Sequence, residues 1–471
     1  MKRTILQSFE WWTDQNPHLW VRLSERAKEL KDAGFTDIWL PPCYKGQAGS
    51  DDVGYGVYDM YDLGEFDAKG SVATKYGTRA ELLELADTLH KNDLNILIDV
   101  VFNHRMGADG YEKVMAREIN PSLRDETTTD AEEIEAPTVF TFPQRGGKYS
   151  DFTWNHECFD GCDYDNSKAH QGIFLFDGKS WDDEVDDENE NYDYLMGADL
   201  DFSNDAVREE CMHWGRWMQD TLHNDGWRLD AIKHINARFY EDWITNMRDY
   251  HKGDMFAVGE YWNGDLNKLH RYIDETHATI SMFDVPLHFH LLEASDSLGG
   301  YDMRGIFNDT LTSLRPDLSV TFVDNHDTQP GEGLSSFVED WFKPQAYALI
   351  LLREEGTPCV FAGDYDGIPH NDVPAKKDII DKLLKVRQKM SGTRRDYFDH
   401  EDIVGWTYEG EGQDGFAVLL TNRTGGTKHM SLGAFYAGVT LSDGEHTVTL
   451  DAEGAGDFTV NDGALAVYEV Q

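Results

Sequence analysis

The chain predicts an α/β fold, a closed (β/α)8 TIM barrel with an inserted domain after the third strand and a C-terminal antiparallel β-sandwich domain. Three observations predict it. Short apolar runs rich in β-branched residues alternate with amphipathic stretches, eight such runs precede residue 364, and beyond about residue 391 the pattern changes to short alternating strands with turn signals.

The runs, in order, are ILQSF (5–9), FTDIWL (35–40), NILIDVVF (95–102), GWRLDA (226–231), MFAVGE (255–260), ISMFD (280–284), SVTFVD (319–324) and PCVFAG (358–363). Between them lie helical patterns such as LSERAKELKDAG, ending at a Gly34 cap, and RAELLELADTLHKN. Strands apolar on both faces and separated by helices imply a parallel sheet, and eight repeats close it. An open doubly wound sheet is the competing topology, but it would bind a nucleotide through a Gly-rich first turn, and none follows the first run.

The gap between the third and fourth runs is much the longest, so the expected division is 1–103 and 205–390 for the barrel, 104–204 for an insert and 391–471 for the β domain. Within the insert, residues 118–135 are acidic and threonine-rich and predict an exposed loop. The run WDDEVDDENENYD (181–193) predicts a solvated face, with a hard cation as the alternative. The C-terminal strands are expected in FAVLLTNRTGG, HTVTLD and ALAVYEV.

Asp and Glu outnumber Lys and Arg by 88 to 42, a formal charge of -46, which repels phosphate backbones and anionic headgroups. Nucleic-acid and membrane partners are therefore not expected, and no run approaches a membrane span. The acids are scattered along the whole chain rather than gathered in a tail, which favours adaptation to high salt over an ordinary acidic protein. Five cysteines, Cys43, Cys158, Cys162, Cys211 and Cys359, give neither a disulfide framework nor a metal spacing. Cys158 and Cys162 beside His156 lack a fourth ligand for zinc, so buried thiols in a reducing compartment are expected. The start MKRTILQSFEWW lacks a sustained apolar stretch and a cleavage site; if Met1 is the native start, the expected address is cytoplasmic.

In a parallel barrel the chemistry sits at the carboxyl ends of the strands. Four runs close on polar residues there: DVVFNH (99–104), GWRLDAIKH (226–234), VGEYW (258–262) and FVDNHD (322–327). Arg228 lies two residues before Asp230, which on a strand puts both side chains on one face, where a guanidinium keeps a carboxylate ionised. A strand-end salt bridge is the bland alternative. Together and in this order the four segments are similar to the four short motifs of the α-amylase family of glycoside hydrolases. PPCYKG, DVGYGVYDMYDLGEF, EVDDENENYDYLM, FVDNHDTQPGEGL and WFKPQAYALILLREEG resemble its bacterial liquefying-type group over most of residues 5–370, and the leaderless start resembles the group's intracellular members.

The resemblance implies retaining endo-hydrolysis of α-1,4-glucosidic bonds in starch, glycogen or maltodextrins through a covalent glycosyl-enzyme. It implies Asp230 as nucleophile, Glu260 as acid/base and Asp327 as the third carboxylate, gripping sugar hydroxyls at subsite -1. Such chemistry needs one carboxylate to trap C1 and one carboxylic acid to release the leaving oxygen, about 5 to 5.5 Å apart when configuration is retained. It further implies substrate contacts from Tyr55, a platform under the -1 ring, from His104, Arg228 and His326, and from Lys233, His234 and Trp262 on the leaving-group side. Gly54 and Gly56 would let backbone approach the ligand. Taken singly, Tyr55 reads as core, and Lys233, His234 and Trp262 read equally as helix-start packing.

The family also implies Ca2+. The matching ligands of its shared site are Asn103, Asp193, Asp199 and the His234 carbonyl, joining barrel to insert. Asp160, Asp182 and Asp201 match a second cluster, with a departure at Ser203, where the group carries another Asp; solvation of a salt-adapted surface is the alternative for these acids. The expected partner is an α-glucan or maltooligosaccharide bound by a monomer. The last tryptophan is Trp406, so the C-terminal domain is expected to pack rather than bind starch. A transglycosylase or exo-acting hydrolase is the nearest competitor, and a non-catalytic binding barrel the competitor from another class.

Overall fold

In the computed structural model, which describes residues 2–471, the eight strands are Ile5–Gln7, Asp37–Leu40, Asn95–Val100, Gly226–Leu229, Phe256–Gly259, Ser281–Phe283, Ser319–Phe322 and Thr357–Phe361. Each pairs in parallel with its neighbours and the last returns to the first, with Ile5 opposite both Cys359 and Asp37. Seven lie inside the predicted runs and the eighth begins one residue earlier. Most runs continue past the strand ends, because there the chain leaves the ladder and its side chains turn over the barrel mouth. Leu97, Trp227, Leu229, Met282, Val320 and Val360 are fully buried, since the ring of helices covers the outer face and the strands fill the inner one.

The first barrel helix, Leu19–Ala33, stops at Gly34, whose φ of 119° is one that L side chains rarely adopt. The second, Arg79–Lys91, starts with a capping box between Thr78 and Glu81.

The insert corrects one expectation. Residues 118–135 are not a loop: strands Gly110–Asn120, Leu123–Thr127 and Glu132–Val139 run through them in an antiparallel sheet. Val114, Ala116, Ile134 and Ala136 point inward while the acids and threonines between them face solvent, so composition masked a period-two pattern, and Ile119 packs separately with Trp181 and Tyr194. The sheet continues through His170–Phe176, Phe159–Asp165 and Ala198–Leu200 to the two-residue strand His104–Arg105, which leaves the third barrel strand directly. That junction carries Asn103.

At the C-terminus six antiparallel strands, including Ile403–Tyr408, Phe416–Thr421 and Leu465–Val470, face a two-stranded ribbon of Gly426–Ser431 and Ala455–Val460. Leu419, Met430, Leu441 and Phe458 pack between them. Trp406 is fully buried against the barrel and its indole N–H donates to the Leu352 carbonyl at 2.8 Å. All five cysteines are free and buried. His156 pairs with Glu112 at 2.8 Å rather than with Cys158 or Cys162.

Candidate active site

A cleft of about 300 Å³ opens at the carboxyl ends of the barrel strands. Asp230, Glu260, Asp327, Tyr55, His104, Lys233, His234, Trp262 and His326 line it. Arg228 does not line it; its guanidinium lies buried beneath. Trp11, Tyr192, Leu195, Met196 and Leu334 complete the wall and were not anticipated.

The fourth strand delivers Asp230 and the fifth Glu260, and both reach the same guanidinium. Arg228 Nη1 donates to Asp230 Oδ1 at 2.6 Å and to Asp99 Oδ1 at 2.8 Å, and Nη2 donates to Glu260 Oε2. Asp99 sits directly opposite Arg228 in the strand pairing. Ala231, next after the nucleophile candidate, is held at φ 47°, a left-handed conformation costly for a residue with a Cβ, and this kink turns the chain out of the strand.

One cation thus faces three buried carboxylates, with Asp327 nearby. Burial, with Glu260, Asp99 and Asp327 beside it, pushes the Asp230 carboxyl up while Arg228 opposes the shift. Asp99 is likewise raised by burial against Arg228. Burial lifts Asp327 to about 6, again against Arg228. Burial lowers His104 to about 4 and, with Arg228 adding to it, His326 to about 3, so both rings are neutral at pH 7.

Aromatic stacking fixes the floor. Tyr55 stacks on His326 at 5.0 Å and 12° and on Trp11 at 6.2 Å and 3°, and its hydroxyl donates to Asp99 Oδ2 at 2.9 Å. His326 Nδ1 meets the Gln7 amide at 3.0 Å. His104 Nε2 donates to the Tyr55 carbonyl at 2.8 Å, leaving a buried, partnerless Nδ1. A Cβ on Gly54 would lie 2.6 Å from the Pro42 ring and one on Gly56 2.5 Å from Asp52 Oδ2, so close packing of the loop already requires both glycines.

The wall on the far side is built by the acidic run. Lys233 pairs with Glu188 at 3.0 Å, and His234 Nδ1 lies 2.6 Å from the Tyr192 carbonyl, its ring neutral because burial and Lys233 lower it to about 3. Asp186, fully enclosed, accepts from Lys268 at 2.8 Å and from the Tyr261 hydroxyl at 2.6 Å, tying the run to the residue after Glu260. The stretch 181–193 is therefore a solvated face at Asp183, Glu184, Asp187, Glu188 and Glu190 that is clamped to the barrel through the buried Asp186 and Asp193. Trp262 packs edge-on against Phe289 at 5.8 Å.

Behind this wall the predicted metal ligands converge. Ligand atoms of Asp160, Asp193 and Asp199 lie within 4.8 Å of one another, as do those of Asp160, Asp182 and Asp201. Asp160 is shared, because its strand pairs with the strand carrying Asp199. Asn103 Nδ2 donates to Asp199 Oδ1 at 3.1 Å. Asn103 Oδ1, Asp160 Oδ2, Asp182 Oδ2 and Asp199 Oδ2 are buried without any partner, which is costly unless a cation or protons meet them. Burial and the neighbouring acids push Asp160 up to about 9 and Asp182 to about 7. At Asp201 the surroundings differ: the Lys179 ammonium contacts Oδ2, and Ser203 Oγ donates to Oδ1 at 2.5 Å.

The description "Alpha amylase, catalytic domain" matches residues 20–418. The chain is 48% identical to the α-amylase of Geobacillus stearothermophilus, covering 99% of this chain and 86% of that one. It is 48% identical to a glucan 1,4-α-maltohexaosidase of Bacillus sp. (strain 707), covering 99% and 92%. It is 41% identical to the cytoplasmic α-amylase of Escherichia coli K12, covering 99% of both. An α-amylase from Geobacillus thermoleovorans solved with acarbose superimposes with a TM-score of 0.66 at 18% identity over 100% and 98% of the two chains, a likeness of fold.

Proposed function

Because the chain belongs to the α-amylase family of glycoside hydrolases, we propose that it cuts internal α-1,4-glucosidic bonds of starch, glycogen or maltodextrins with retention of configuration. The observation that carries the residue assignment is the single buried guanidinium that Asp230 and Glu260 share at the base of the cleft. Asp230 attacks C1 and forms the glycosyl ester as Glu260 gives its proton to the leaving oxygen and the glycosidic bond breaks. Glu260 then takes a proton from water, whose oxygen attacks C1 and displaces Asp230. Arg228 favours the ionised form of Asp230 against its burial. Asp327, the free Nδ1 of His104 and His326 grip hydroxyls of the -1 sugar above Tyr55, while Lys233, His234 and Trp262 face the leaving group.

The carboxylate cluster fits calcium, held by Asn103, Asp160, Asp193, Asp199 and the His234 carbonyl, since partnerless buried oxygens and acid-rich ligation are what a hard dication takes. A bound ion supplies positive charge that joins the insert to the barrel. At Asp201 the Lys179 ammonium already supplies a cation, and we expect no second tight site there. The domain limits we propose are 1–103, 104–204, 205–390 and 391–471. The free buried thiols and the likeness to the Escherichia coli cytoplasmic enzyme support a cytoplasmic address, and the charge of -46 supports adaptation to salt. Among the described residues no helix is long and apolar enough to cross a membrane.

Reducing-sugar release from soluble starch, in molar salt with calcium, tests the assignment: Asp230→Asn abolishes it, and undiminished activity refutes the nucleophile. The likeness to a maltohexaosidase keeps an exo-acting reading in play. Amylose separates the two by product series, mixed lengths for endo action and one dominant short product for exo.

A further inference from the structure

Trp12 is the most exposed of the thirteen tryptophans, with 42% of its surface in solvent. Its neighbour Trp11 faces the catalytic cleft; Trp12 faces a separate cavity of about 730 Å³ between the first barrel helix, Leu19–Ala33, and the turn after the eighth strand. The indole stacks on His370, ring centres 4.0 Å apart at 19°, so its plane is fixed before anything binds. Behind it Arg22 reaches the Asp14 carbonyl at 3.2 Å through Nη2, while its Nε is buried with no partner. Arg26 forks onto Asp366 at 2.7 and 2.9 Å, and Glu10 accepts the Trp12 backbone N–H at 2.7 Å.

The chemistry of this wall selects a ligand class. An apolar ligand would strip water from the carboxylates of Glu10, Asp14, Glu25 and Asp366 without replacing its hydrogen bonds, at a cost of about 1 to 3 kcal/mol each. A phosphate would meet the carboxylates of Glu10, Asp14, Glu25 and Asp366, which outnumber the two arginines. A neutral sugar satisfies both demands, since its C–H face lies flat on an indole and each hydroxyl both donates to a carboxylate and accepts from a guanidinium. The cavity volume falls in the range of small-ligand sites.

We propose that the Trp12 cavity is a second saccharide site, outside the catalytic cleft, that holds an uncut stretch of α-glucan on the same face of the barrel. The proposal rests on the α-glucan reading above. Titration calorimetry of Asp230→Asn with maltotetraose is expected to give two sites, and Asp230→Asn carrying Trp12→Ala or Arg22→Met is expected to give one. In the active enzyme Trp12→Ala lowers the rate on granular starch several-fold and leaves turnover of a short maltooligosaccharide unchanged. A single site that neither substitution alters overturns the second site and leaves the α-glucan reading standing. No maltotetraose binding at all overturns both.

Discussion

Replacing Arg228 by Met removes the one cation from the base of the cleft while keeping much of its volume. Two unit charges about 4 Å apart in an environment of effective dielectric about 20 attract by about 4 kcal/mol. Asp230 Oδ1 is bonded to the guanidinium at 2.6 Å, so the full attraction acts on it. At 1.36 kcal/mol per pKa unit, its loss raises the Asp230 carboxyl by about 3 units, and at a pH below both the old and the new pKa the ionised nucleophile falls about a thousandfold. The assay is kcat/KM on a chromogenic maltoheptaoside across about pH 5 to 9. The expected result is an acid limb moved upward by about 3 units, with a drop of about a thousandfold on the acid side of both limbs. Arg228→Lys keeps a charge but not the fork that serves Asp99, Asp230 and Glu260 together, so it falls between the two. An Arg228→Met enzyme within about tenfold of wild type, with an unmoved acid limb, refutes the reasoning.

Calcium and pH are coupled through the cluster. Asp160 and Asp182 are raised to about 9 and about 7 in the folded chain, so the ion-free protein holds protons that the unfolded chain has released, and its stability falls as pH climbs through that window. The gap in Tm between calcium and chelator is therefore expected to widen from about pH 5 to about pH 8, and a gap that narrows counts against the site. Asp186 has the opposite sign: burial opposes ionisation, but the hydrogen bonds from Lys268 and Tyr261 outweigh it and hold the carboxyl low. Its contribution is present above the ordinary carboxylate range and lost on acidification, and Lys268→Met is expected to cost about 1.5 to 3 kcal/mol in urea unfolding at pH 7. A shift below about 0.5 kcal/mol would show that the wall is held elsewhere. Raising salt from about 0.1 M to 1 M shortens the Debye length from about 10 to 3 Å and is expected to raise Tm, sodium and potassium chlorides acting alike; a flat or falling Tm speaks against salt adaptation.

The barrel was legible because its strands are buried on both faces, which leaves continuous runs such as NILIDV that need no partner to be recognised. The clustering of Asp230, Glu260 and Asp327 followed from their places at strand ends. What escaped was whatever depends on register between distant segments. Asp99 meets Arg228 only because their strands pair residue for residue, though a carboxylate inside an otherwise apolar run was a signal worth following. Trp11 and Gln7 join the site through stacking and a bond to His326 across more than three hundred residues. The hairpins over 118–135 were hidden because charges on the outer face swamp the few apolar residues facing in. Gly54 and Gly56 are explained by Pro42 and Asp52, contacts no local pattern announces.

The account stands or falls on which atom traps C1. A slow substrate, a 5-fluoro-maltosyl fluoride, accumulates the glycosyl-enzyme, and peptide mass spectrometry of the trapped protein identifies the ester. The adduct is expected on Asp230 and to be absent from Asp230→Asn. An adduct on Glu260, Asp327 or any other residue contradicts it.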